Sequence, residues 1–195
     1  MSAHSNPSNG DVTLMPERAI EVSPGELADC RLIPGCPGEL GLPIEAFLRL
    51  YAVRDQRILG QITGPEDLTA FITAVRSAEH ALGFVQLFTD PATVHLFPGQ
   101  RLTIDVSLAS DDGVAEPGAL SPRRWRESGA TAPRVEADSD GFRITRTVVS
   151  ADAVGARRQL LRRVERVSSQ GGYRHVGDTV IAELAPDEIR MPFAE

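Results

Sequence analysis

The sequence predicts an α+β fold: an antiparallel or mixed β-sheet with one or two short helices near its middle, closed by a C-terminal β-meander. Three patterns carry that reading. Leu102, Ile104, Val106 and Leu108 alternate with Thr103, Asp105 and Ser107, the period of a half-buried strand. Between Pro65 and Phe88 apolar residues recur at spacings of three and four, as on the buried stripe of a helix. Toward the C-terminus, apolar runs are separated by Asp140-Gly141 and Ser168-Ser-Gln-Gly-Gly172, both hairpin signals.

Residues 1–10 are small and polar with Pro and Gly, and are expected as a disordered N-terminal tail. Residues 11–195 are expected as a single α+β domain in three parts: 11–108 α+β, 109–134 a long loop, and 135–195 rich in strand. Residues 11–22 suit a strand or a short helical turn. Ser23-Pro-Gly-Glu suits the start of a short helix, weakened by Gly25. Cys30 to Pro43 reads as loop, broken by Pro34, Pro37 and Pro43.

The densest apolar patterning runs from Ile44 to Phe97. Ala46 to Val53 has apolar groups on both faces: Phe47, Tyr51 and Val53 beside Arg49, and Leu48, Leu50 and Ala52 opposite. That is the pattern of an interior strand. Asp55-Gln-Arg57 is a polar turn, and Ile58 to Ile62 a second strand weakened by Gly60. Pro65 suits a first helical turn, and Glu66 and Asp67 sit at the positive end of the helix dipole. Leu68, Phe71, Ile72 and Val75 form its stripe. Ser77 caps a second helix with Glu79 in its first turn and a stripe through Ala78, Ala81, Leu82, Val85 and Phe88. The alternative is a strand over Phe84 to Phe88. Asp90-Pro91 stops the helix, Thr93 to Phe97 is expected as a strand, and Pro98-Gly99 as a turn.

The 109–134 segment is rich in Ser, Asp, Gly, Ala and Pro without periodicity. It holds Arg123-Arg-Trp-Arg126, with the only tryptophan. These residues suit either an interface anchor or a tryptophan that pins the loop to the core with arginines in solvent. Val135 to Val149 is a hairpin with Phe142, Ile144 and Val148 on one face, and Arg143, Thr145 and Val149 on the other. Ser150 to Gly155 connects. Arg157 to Val167 fits a helix by periodicity. A strand from Gln159 to Ser168 is preferred, because the turn after it needs a partner on each side. Tyr173 to Leu184 is the closing strand, interrupted at Gly177-Asp178. Ile189, Met191 and Phe193 are placed to dock on the body or a sheet edge.

Composition removes several function classes. All 20 basic residues are arginine, so no Schiff-base, Walker-type or kinase-type lysine exists. A net charge of -7 disfavours nucleic acid and anionic membranes as partners. No apolar run approaches the roughly 20 residues of a membrane span. Residues 1–10 lack the basic start and apolar core of a secretory signal, so the expected location is cytoplasmic. Cys30 and Cys36 are expected as ordinary thiols; a disulfide or redox pair is the alternative.

Nothing local marks an active centre. His4, His80, His95 and His175 show no ligand spacing, so no metal and no cofactor are expected. No G-x-S-x-G elbow or phosphate-binding glycine loop occurs. A site built from separated segments would use His95, His175 and Asp105, or Cys30 or Cys36 with a histidine. The expectation is therefore a non-catalytic protein-binding, accessory or scaffold component whose partner is another protein. The alternatives are a small enzyme with an assembled site, or a binder of anionic small molecules. The candidate partner-binding residues are Arg123, Arg124, Trp125 and Arg126, with Arg162, Arg163, Arg166 and Arg174 as an arginine stripe on a strand hairpin. A solvated face balancing the acidic first half is the plainer account of that stripe.

Overall fold

The N-terminal half assembles around β4 (Arg49–Arg54). In this computed structural model, which describes residues 12–18, 20, 23–37, 48–97, 102–109, 116–151 and 157–192, β4 pairs antiparallel with β3 (Arg31–Pro37) and β5 (Arg57–Ile62). A short β1 (Val12–Leu14) adds to β3 and completes a four-stranded sheet. Both faces of β4 are buried, as its sequence requires. Leu50 and Ala52 join the main core, while Tyr51 and Val53 pack with Ile33 and Ile58 on the opposite face. Asp55 and Gln56 turn the β4–β5 hairpin at φ 48° and 64°, the pair of positive values that matches strand twist in a two-residue loop.

β3 is a strand where a loop was expected, and Pro34 shows why. Within a strand, a residue's N–H and C=O point to the same neighbour. The Pro34 carbonyl accepts from the Met15 amide at 2.8 Å, so its missing N–H lies on the β1 side. The β1 pairing ends here, so proline removes only the reciprocal bond to Met15 and leaves the pairing with β4 untouched.

The middle layer departs from the expected pattern in two places. α1 (Pro65–Thr69) is barely more than one turn. The chain then leaves the helix at β-branched Ile72 and Thr73 and forms β6 (Ile72–Ala74), paired with β2 (Glu26–Leu27), where a short helix was expected. The Thr73 hydroxyl donates to the Glu26 carbonyl at 3.1 Å. Leu68 in α1 and Ile72 and Val75 beyond it are all buried, so the apolar spacing reported burial correctly throughout, and helicity only as far as Thr69.

α2 (Ala78–Gln86) forms as expected. The Ser77 hydroxyl accepts from the His80 amide at 3.1 Å, and Ala81, Phe84 and Val85 are buried. Thr93 to Phe97 is not a strand. Helical bonding carries on past Pro91, with the Val94 amide bonded to the Asp90 carbonyl and the Thr93 hydroxyl to the Leu87 carbonyl, and ends in a 3-10 turn over Val94–Leu96.

The C-terminal sheet is antiparallel: β11 (Gly141–Ala151), β12 (Arg158–Ser168) and β13 (Tyr173–Leu184) in order. The far edge of β11 is shared by β10 (Arg134–Asp138) and β7 (Thr103–Asp105). The strand preferred over a helix at 159–168 is present. β13 runs unbroken through Gly177-Asp178, with bulges that leave Val176 and Ile181 as extra residues. Gly171 in the β12–β13 turn has φ +80°, and a Cβ there would sit 2.6 Å from Ile72. That close approach ties the hairpin to the middle layer.

The 109–134 segment, expected as a loop, contains β9 (Ala119–Leu120), paired parallel with β8 (Ser107–Leu108), and α3 (Pro122–Ser128). The Ser121 hydroxyl accepts from the Arg124 amide, Pro122 opens the helix, and Gly129 closes it at φ +69°. The turn of β8 toward β9 leaves Leu108 exposed, against its alternating pattern.

One core cluster joins the N-terminal sheet and α2 to Ile144 and Val167 of the C-terminal sheet. A second packs Ile104, Val149, Leu160 and Leu184 under Ile189 and Met191. The expectations for residues 1–10, Ala46, Phe47, Pro98-Gly99 and Phe193 fall outside the described residues.

Candidate functional site

The pleat of β11–β13 sorts the arginines of the C-terminal half onto two faces. Ile144, Arg146 and Val148 share a face with Leu161, Arg163 and Glu165 across the β11–β12 pairing. Arg143 and Thr145 share the other with Arg162, Val164 and Arg166.

On the inner face Arg146 is 1% exposed and Glu165 2%. The Arg146 guanidinium grips the Glu165 carboxylate through Nε at 2.7 Å and Nη2 at 3.1 Å, and donates to Asp105 at 2.6 Å. The Thr89 hydroxyl accepts from Arg146 and donates to Asp105 at 2.9 Å. Tyr173 donates its hydroxyl to Glu165 at 2.9 Å. Burial works against the Arg146 charge, but Asp105 and Glu165 together raise its pKa, so it stays a cation. Burial pushes the Asp105 carboxyl up more than Arg146 and Thr89 pull it down. Burial and the neighbouring Glu165 also push the Tyr173 hydroxyl up, which keeps it a donor. Every group has a partner, so this cluster is an internal tie between the turn that follows α2 and the strands β7, β11, β12 and β13.

Arg163 lies on that same inner face, away from the stripe. It forms two hydrogen bonds of 2.9 Å with Asp178, which His175 also meets at 3.1 Å. Burial raises the Asp178 carboxyl, yet Arg163 and His175 lower it further, leaving it below its ordinary value.

On the outer face Arg143, Arg166 and Arg174 stand directly opposite one another across three strands. All three are exposed, and Arg162 follows on the same face. Arg166 has Asp138 at 2.8 Å. Among the described residues Arg143, Arg162 and Arg174 have no carboxylate within salt-bridge reach. A groove of about 290 Å³ opens at this end of the sheet, lined by Asp138, Phe142, Arg166, Val167, Tyr173 and Arg174.

β13 is also the last strand of its sheet. Among the described residues no backbone group from Arg174 to Ala182 is bonded on its outer side. Val176 and Val180 on this strand are 46% and 53% exposed. Beyond them the edge is closed, because Arg124 donates to the Glu183 carbonyl at 2.7 Å.

The Arg123–Arg126 group does not gather into one surface. Arg123 pairs with Glu127, Arg126 bonds the Pro122 carbonyl of its own helix, Arg124 meets Glu188 at 2.7 Å, and Trp125 packs on the second core cluster. His175 pairs with Asp178 on β13, and His95 sits on the 3-10 turn beside β4. Cys30 and Cys36 are free and buried, and burial pushes the Cys30 thiol up, away from the nucleophilic thiolate. No group of three or more His, Cys, Asp or Glu among the described residues is placed to hold a metal ion.

Arg143, Arg146 and Glu165 were absent from the expected site. Arg146 had a signal: with Phe142, Ile144 and Val148 it occupies a position of an otherwise apolar alternating face, where an unpaired charge is not tolerated. Comparison with protein-family models, with curated proteins and with solved structures finds no match for this chain.

Proposed function

We propose that this chain is a non-catalytic binding protein, an accessory or scaffold component, that receives an extended segment of another protein along β13. The observation that carries this reading is the open edge from Arg174 to Ala182 with Val176 and Val180 exposed on it. An open edge offers a row of backbone donors and acceptors to an incoming strand, and exposed apolar side chains beside it add contact area. The bulges at Val176 and Ile181 leave only Gly177 to Val180 as a regular window. They limit indiscriminate self-pairing while keeping a short segment receptive.

The arginine row favours a second reading, capture of a small anion at Arg143, Arg166 and Arg174. Two unpaired cysteines fit the cytoplasm as the proposed compartment. No helix among the described residues is long and apolar enough to cross a membrane.

A photo-crosslinking side chain placed at Val180, with Arg57 in the β4–β5 hairpin as control, tests the reading in an extract of the protein's own cells. The expected result is one defined protein adduct from Val180 and none from Arg57. Equal labelling from both positions, or none from Val180, contradicts it.

A further inference from the structure

We infer that the segment docking on β13 is acidic, with carboxylates at alternate positions that meet the Arg143–Arg166–Arg174 row and Arg162. This rests on the edge-docking reading above and names the chemistry of its partner. A strand added to β13 would lie about 4.8 Å away, and its side chains would alternate between the two faces of the sheet. Positions beside Thr179 and Gly177 project onto the arginine face within the regular window, and the position beside Arg174 does so once the strand passes the Val176 bulge. Arg174 is then the adjacent cross-strand neighbour, and Arg166 and Arg162 stand one strand further in, within reach of long side chains.

The row is electrostatically incomplete. Like charges directly opposite in a ladder repel, and here three guanidinium groups face each other with two carboxylates at the near end: Asp138, on Arg166, and Glu136, opposite Arg143 but paired with Arg134. Carboxylates supplied from outside relieve that repulsion and take the two-pronged hydrogen bonds guanidinium groups are shaped to give. The intervening positions of the added strand fall on the face of Val180, which pairs with buried Leu161, and of Asp178 and His175, which are already bonded to each other, Asp178 also to Arg163. The position beside Val180 suits an apolar side chain, and the others need no charge. The partner motif is therefore a short alternation of acidic and apolar residues.

The test uses the full chain and two capped synthetic hexapeptides, one alternating Glu with Val and one alternating Gln with Val. Amide hydrogen exchange of β13 reports docking, and titration reports affinity. The expected result is slower exchange between Arg174 and Ala182 with the Glu peptide. Binding should weaken about tenfold or more on changing Glu to Gln, in R143Q/R166Q/R174Q, and progressively with salt. R174Q alone leaves the Arg166–Asp138 pair intact, so it keeps the test sound if the triple variant misfolds, and it should show part of the loss. Equal binding of the Gln peptide, indifference of the variants, or displacement by equimolar citrate overturns the acidic motif and leaves edge docking standing. Binding of the Glu peptide without protection of β13 overturns edge docking. No binding of either peptide overturns both.

Discussion

Arg146 and Arg143 are three residues apart on one strand and face opposite environments. Arg146 is enclosed, bonded to two carboxylates and a hydroxyl, and sits in a cluster that joins four strands to the turn after α2. Arg143 stands in solvent between another arginine and Glu136, whose carboxylate pairs with Arg134 instead. The residue type is the same, so the difference comes from the pleat. In a chain whose cations are all arginine, an odd or even position on a strand decides whether a guanidinium holds the fold or is left for a partner.

The largest expected effect is on the enclosed side. Glu165→Ala leaves Arg146 short of its main partner and should lose about 3–5 kcal/mol of stability in urea unfolding. A loss below about 1 kcal/mol would mean that the cluster is not a tie.

Tyr173→Phe removes one hydrogen bond to Glu165 while Arg146 remains, and should cost about 1–2 kcal/mol. A spectroscopic consequence goes with it. Burial raises both tyrosines of the chain, Tyr51 and Tyr173, above 10.0. Their stabilising contribution is full below that value and is lost as pH climbs through the folded pKa values. Tyrosinate absorbance in a Tyr51→Phe background should therefore rise only well above the ordinary tyrosine range; a rise near 10.0 in the folded protein would contradict the enclosure of Tyr173.

Asp105 gives a smaller effect with a defined sign. Its folded pKa is raised above 3.8, so the native state holds that proton more tightly than the unfolded chain. Its contribution is full below 3.8 and shrinks as pH rises through the folded value. Asp105→Asn should flatten that part of the stability–pH curve, and an unchanged slope would place the carboxylate in solvent. The smallest effect is expected outside: Asp138→Ala breaks the exposed pair with Arg166 and should shift stability by no more than about 0.5 kcal/mol.

Much of the architecture is legible in the sequence because burial writes a period. β4 declares itself by apolar residues on both faces, and the β11–β12–β13 meander by turn chemistry at Asp140-Gly141 and Ser168 to Gly172. The misreadings arise where two physical causes leave one pattern. Leu68, Ile72 and Val75 have the spacing of one helix, but only Leu68 is buried from a helix; Ile72 is on β6 and Val75 follows it. α3 was hidden by composition, although Ser121, Pro122 and Gly129 are its start and stop signals. Pro34 suggested a loop, because sequence does not say which side of a strand its missing N–H will face.

The candidate site was less legible. Arg162, Arg166 and Arg174 do share an outer face, but Arg163 lies on the other face with Asp178. The row became visible only when register set Arg143 opposite Arg166. Likewise, the Asp105–Arg146–Glu165 cluster joins residues far apart in the chain, and no local spacing announces it.

Equilibrium urea unfolding of Arg146→Met beside Arg174→Met tests the division of the two faces most directly. The expected result is a loss of about 3 kcal/mol or more for Arg146→Met, against a change within about 0.5 kcal/mol for Arg174→Met, on the stabilising side because a like-charge contact is relieved. Equal losses from the two substitutions would contradict the account.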